Sequence, residues 1–302
     1  MKKIILALLV VMTIMLMGCQ KEETGKVNPF VGGTTGVRMA FLADAPPAEV
    51  FDNGNFPFEL VVELENVGET DVAKEDVEVT IKGIDPEEFG LSDTDFVLEP
   101  TGDLMGASKD AAGLVDGGQT EVSIEELSYD GTIVGAAIER PIIASMCYEY
   151  ATKAVADLCV VKDILKDNSR VCTVGAVKEV FSSGAPIQVT SLTERAAGQN
   201  KLEFDFVIAN QGSVSKIYKE GVSCEGTRSV ENKVKVEVAG IEGITCQGTD
   251  SEGYVNLQDG TKTIRCNVEI DSATDYEKAI TIDLTYAVSD DISTTLMVKH
   301  TE

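Results

Sequence analysis

The chain has 302 residues, with 25 Lys and Arg against 51 Asp and Glu, one His, no Trp and 7 Cys. Hydrophobic residues make up 43% of it, which suits a packed protein and argues against a disordered or collagen-like one. A net charge of −26 repels phosphate backbones and anionic headgroups, so nucleic-acid binding is not expected, and the length suggests two domains.

Lys2 and Lys3 precede an apolar run from Ile4 to Met17, the charge-then-apolar order of a secretory signal. The run is shorter than the roughly 20 residues a spanning helix needs. It ends in Leu16-Met17-Gly18-Cys19, which resembles the lipobox of bacterial and archaeal lipoproteins, with Met17 a looser fit than the usual small residue. That resemblance implies that residues 1–18 are a signal peptide and that Cys19 is lipidated and becomes the new amino terminus. The protein would then be extracytoplasmic and bound to the cell membrane through a lipid anchor. The alternatives are a plain signal peptide cleaved nearby and an uncleaved anchor. Residues 19–36 are the expected lipidated Cys and tether: from Gln20 to Gly36 charges mix with Gly, Asn, Pro and Thr without an apolar period. Fully extended, this stretch would reach about 50 Å.

Phe58, Leu60, Val62 and Leu64 alternate with mostly acidic residues and predict a half-buried strand. Val77, Val79 and Ile81 predict another, stopping at Gly83. Such strands recur between Gly, Asn, Asp and Pro clusters, with no sustained helical stripe beyond residue 20, so the expected class is all-β. The second half repeats the first. Leu202, Phe204, Phe206 and Ile208 lead into Asn210-Gln211-Gly212 as the earlier strand leads into Asn66-Val67-Gly68. Val234, Val236 and Val238 lead into Gly240-Ile241 as Val77, Val79 and Ile81 lead into Gly83-Ile84. A later strand in each half reaches Tyr150 or Tyr286 and is expected to turn and return as residues 155–162 or 292–299.

Tandem duplication gives a first domain at 37–165, a connector at 166–183 and a second domain at 184–302, each expected to be an antiparallel β-sandwich of the immunoglobulin or fibronectin kind. The Asn-x-Gly after an alternating strand, at Asn66 and Asn210, resembles the CARDB-like adhesion modules of bacterial and archaeal surface proteins. With the lipobox, the whole resembles an archaeal cell-surface lipoprotein. The resemblance implies interaction or adhesion without naming a partner, and the family's modules usually lack cysteines.

Six cysteines remain besides Cys19: Cys147, Cys159, Cys172, Cys224, Cys246 and Cys266. An even number in an exported chain predicts disulfides, and no C-x-x-C spacing suggests a metal or redox site. Six cysteines allow 15 connectivities. A hairpin turning near Thr152-Lys153 would pair Cys147 with Cys159, a Gly-rich turn region would pair Cys246 with Cys266, and Cys172 with Cys224 would be left.

The only His, His300, lies two residues from the end, where chains fray, so Ser-His-Asp, Cys-His and His-ligated zinc mechanisms are not expected. Asp52-Asn53-Gly54-Asn55 and Asp93-Thr94-Asp95 offer oxygen ligands for calcium, but turn formation explains both, so no metal and no cofactor are expected. Residues 36–162 carry a net charge of −20 and residues 184–302 a net charge of −8. The reading is a non-enzymatic lipoprotein that presents its sandwiches to another surface protein or polymer. The alternative is a ligand-capturing lipoprotein serving a transporter, with a carboxylate-pair enzyme third.

Overall fold

A computed structural model describes residues 26–54, 56–163, 169, 171–198, 200–214, 216–221, 223–224 and 228–301. The signal peptide and Cys19 lie outside the described residues. Among the described residues the regular structure is strand, with three short 3-10 turns and no α-helix.

In chain order the strands are β1 (Val37–Phe41), β2 (Glu49–Phe51), β3 (Phe58–Asn66), β4 (Val77–Lys82), β5 (Val97–Leu98), β6 (Ser108–Asp110), β7 (Gly113–Val115), β8 (Gln119–Leu127) and β9 (Ala137–Val160). There follow β10 (Val177–Lys178), β11 (Val180–Ser182), β12 (Ile187–Ala196), β13 (Lys201–Asn210), β14 (Lys216–Tyr218), β15 (Lys233–Ala239), β16 (Thr245–Gln247), β17 (Tyr254–Asn256), β18 (Thr261–Glu269) and β19 (Tyr276–Lys299).

They form a three-stranded sheet, β1-β3-β8, a five-stranded sheet, β10-β12-β13-β18-β16, a nine-stranded sheet built around β19-β9, and the small hairpin β6-β7. All pairings are antiparallel except that of β2 with β19. The alternation read from the sequence is the burial pattern observed: Leu60, Val62 and Leu64 of β3 and Leu202, Phe204, Phe206 and Ile208 of β13 are buried in the core. Gly83 and Gly240 end β4 and β15 at positive φ, and a Cβ at either would lie 2.6 Å from a carbonyl oxygen, of Pro141 or of Ala279. Glycine is the residue that fits both places.

β9 and β19 overturn the expected turns. Each is 24 residues long, and they pair along their whole lengths without a shift of register, from Ala137 opposite Lys299 to Val160 opposite Tyr276. At about 3.3 Å per residue the pair is roughly 80 Å long. The polar dipeptide Thr152-Lys153 read as a turn because Thr is equally at home in either setting. Here Thr152 points inward, donates to the Ile187 carbonyl at 2.5 Å and accepts from the Tyr286 hydroxyl at 2.9 Å, so its polarity is satisfied within the core. The inward alternation therefore continues through Tyr150, Thr152 and Ala154 without a break.

One half of the nine-stranded sheet, where β4 pairs with β9 and β2 with β19, meets the three-stranded sheet. The Val37 N–H of β1 donates to the Tyr148 hydroxyl of β9 at 3.2 Å. The other half, carrying β15 and β11, meets the five-stranded sheet, and the Cys159 N–H donates to Glu194 of β12 at 2.8 Å. A single hydrophobic cluster runs through both halves.

Candidate functional site

The Asn-x-Gly motif builds a junction. Asn66 is buried at the end of β3, where its side-chain oxygen accepts from the Gly68 N–H at 3.2 Å and the Tyr150 hydroxyl at 3.1 Å. Its amide donates to the carbonyls of Thr70 at 2.7 Å and Leu104 at 2.9 Å. Gly68 is required by close approach, since a Cβ there would come within 2.5 Å of the Gly184 carbonyl. Asn210 makes the same local bond, accepting from the Gly212 N–H at 3.1 Å.

Next to this junction Glu69 acts as a clasp. Its carboxylate accepts from the N–H groups of Val31 at 2.8 Å, Gly32 at 2.9 Å and Gly184 at 2.6 Å. Gly33 then accepts from Gln188 at 2.5 Å and Ala185 at 3.3 Å, and Gly36 accepts from Val67 and Gly68. Lys26 is ion-paired with Asp157 at 2.6 Å and Glu277 at 2.9 Å. The described part of the expected tether, residues 26–36, is thus a strap bonded along the body of the protein. Nothing in the sequence around Glu69 marks it out from its many acidic neighbours.

The C-terminal end is also held. Asp52 is buried, and its carboxylate meets His300 Nδ1 at 2.7 Å, the Thr301 N–H and hydroxyl at 2.9 Å each, and the Ile133 N–H at 3.1 Å. Burial pushes the Asp52 carboxyl up, but the hydrogen bonds from His300, Thr301 and Ile133 outweigh it and hold the carboxyl well below the usual carboxylate range. His300, expected to fray, is fixed by this contact. Asp52 spends its acceptors on the protein itself. Asp95 does likewise, accepting from the N–H and hydroxyl of Ser92 at the start of a 3-10 turn. Among the described residues no three His, Cys, Asp or Glu side chains are grouped to hold a metal ion.

The cysteine pairing differs from expectation in two of three bonds. The disulfides are Cys147–Cys224, Cys159–Cys172 and Cys246–Cys266. Cys147 and Cys159 stand twelve residues apart on the same straight strand, about 40 Å from one another, whereas a disulfide needs Cα atoms within about 7 Å. Cys246 and Cys266 face each other directly in the β16–β18 ladder, as the Gly-rich turn region implies.

The outer face of the three-stranded sheet carries a shallow groove of about 550 Å³. One row of its floor is Ala40, Glu63 and Glu121, and the next is Arg38, Glu65 and Gln119, with Arg38 ion-paired to Glu65. Glu63 and Glu121 lie directly opposite one another, an arrangement that costs stability unless a cation is near. The groove offers acceptor oxygens to a cationic or hydroxyl-bearing ligand.

These features define the class of the protein: all-β, with three disulfides that fit an oxidising, extracellular setting. No protein-family model and no curated protein matches the sequence. Among solved structures, the envelope protein VP37 of White Spot Syndrome Virus is similar at 10% identity and a TM-score of 0.24, over 46% of this chain and 97% of that one. The serine-rich repeat adhesion glycoprotein Srr1 of Streptococcus agalactiae is similar at 10% identity and a TM-score of 0.19, over 92% of this chain and 100% of that one.

Proposed function

We propose that the protein is a lipid-anchored, extracytoplasmic interaction protein, not an enzyme, that presents two immunoglobulin-like β-sandwich modules to another surface protein or polymer. The modules are built from residues 37–165 and 184–302 and are interlocked, because β9 of the first reaches across to β12 of the second and β19 of the second pairs with β2 of the first. The continuous β9–β19 pair carries this reading: it makes a stiff spacer, roughly 80 Å long, that holds a binding face at a distance from the anchored end. The Leu16-Met17-Gly18-Cys19 sequence supports the anchor at Cys19, and three disulfides support an exported chain. Partners would meet the acidic groove, or add a strand to the outer edge of the three-stranded sheet at β8.

The groove also favours a second reading, capture of a small cationic or hydroxyl-bearing ligand on behalf of a transporter. Cross-linking on the intact cell surface separates the two: a macromolecular partner supports the first, and a transporter subunit supports the second. Replacing Cys19 with Ser moves an anchored protein out of the detergent-requiring fraction. Unchanged fractionation with an unmodified amino terminus would sink the anchor.

A further inference from the structure

The strap limits how far the described body can stand from Cys19. From Cys19 to Lys26 there are seven Cα-to-Cα steps, at most roughly 25 Å, half of what an unbound tether would allow. Lys26 is fastened to Asp157 and Glu277, close to the end of the long pair where Val160 faces Tyr276. A lipid at Cys19 therefore holds that end of the molecule, and no other, close to the bilayer.

Four exposed apolar side chains gather at the same end: Val27 at 88% exposure, Val177 at 74%, Val171 at 57% and Tyr276 at 41%. Val27 follows Lys26, and Lys26, Cys172, Val177 and Glu277 line one shallow hollow. The Cys172 sulfur lies 3.7 Å from the Tyr276 carbonyl oxygen, so the chain segment that carries Val171 passes the start of β19. The two cations lining the hollow are spent within the protein, Lys26 on two carboxylates and Lys178 on buried Glu194 at 2.7 Å, while Lys162 and Lys278 stand exposed near the same end. The net charge of the chain disfavours anionic headgroups, so the surface that suits this patch is a neutral one.

We propose that Val27, Val171, Val177 and Tyr276 form a membrane-contact patch that seats this end of the protein on the neutral lipid surface to which Cys19 is anchored. Exposed apolar clusters of this kind mark interaction sites, and Tyr is at home where one side is apolar and the other wet. Four side chains bind a bilayer weakly alone, but the anchor makes their contact intramolecular and raises its effective concentration. The consequence is orientation: the long pair is footed at Val160 and Tyr276, and the opposite end, near Val134 and Ala137, stands away from the membrane. This inference rests on the anchored reading above.

The chain has no Trp, so one introduced indole reports on one place. The lipidated, full-length protein is reconstituted into phosphatidylcholine vesicles with or without bromine on the acyl chains, as V177W and, for the far end, as V134W, where Val134 is 99% exposed. Both sites are on the surface, and an unchanged circular dichroism spectrum and disulfide map verify the fold. The expected result is a blue shift and loss of V177W emission in brominated vesicles, with V134W emission unchanged and little effect of salt on either. Protein that floats with the vesicles but shows no quenching of V177W, or equal quenching of both indoles, overturns the patch while leaving the anchor standing. Protein that does not float overturns the anchor, and the patch with it. A blue shift of V177W without vesicles, accompanied by a doubling of mass, assigns the patch to a second copy of the chain and overturns the lipid contact.

Discussion

Tyr150 and Tyr286 stand directly opposite one another in the ladder between β9 and β19. They occupy matching landmarks in the two halves of the sequence, so the halves meet through like strands. Both rings are buried and both hydroxyls are bonded: Tyr150 donates to Asn66, and Tyr286 bonds Thr152 and receives the Ile187 N–H at 3.4 Å. Burial pushes both phenols up, so neither ionises under ordinary conditions.

Removing either hydroxyl leaves buried partners short of a bond. Tyr150→Phe and Tyr286→Phe are each expected to cost about 1–3 kcal/mol, read from urea unfolding with an unchanged slope. A loss no larger than that of a surface Tyr→Phe control would show that these hydroxyls do not bind the halves together.

Asp52 sets an acid limit on stability. Folding favours its ionised form, so its contribution is fully present above the ordinary aspartate range near 4 and is lost as pH falls from there through the lower folded value. Wild-type melting temperature should drop faster below pH 4 than that of Asp52→Asn, which has no carboxylate to protonate. Parallel curves would remove Asp52 as the cause.

Glu69 holds the strap to the body at three N–H groups. In Glu69→Gln the side chain loses its charge and one of its two acceptor oxygens. Amide exchange at Val31, Gly32 and Gly184 should accelerate, while that of the β9–β19 ladder stays slow. Uniform acceleration through the chain would mean global destabilisation and not release of a strap.

Peptide mapping without reduction should recover Cys147 joined to Cys224, Cys159 to Cys172 and Cys246 to Cys266. The Cys147–Cys224 bond closes the longest loop, with a sequence separation of 77, and replacing both residues with Ser should cost about 4.5 kcal/mol in the chain-entropy model. A Cys147–Cys159 peptide would contradict the straight course of β9.

The amino-acid pattern by itself determined the all-β class, the faces of β3, β4, β13 and β15, the stop glycines Gly83 and Gly240, and the Asn-x-Gly turns at Asn66 and Asn210. These are local properties, because a period of two and a Gly at positive φ are written in neighbouring residues. The paths of β9 and β19 were not legible, since Thr152-Lys153 suits a turn or a strand, and the partners that decide it, Ile187 and Tyr286, lie 35 and 134 residues away. From that one choice followed the cysteine pairing, because a straight strand separates Cys147 from Cys159 and brings Cys224 to Cys147. The clasp at Glu69 and the seating of His300 on Asp52 were likewise decided only in three dimensions. A carboxylate among 51 acidic residues carries no sign of which distant N–H groups the fold will bring to it.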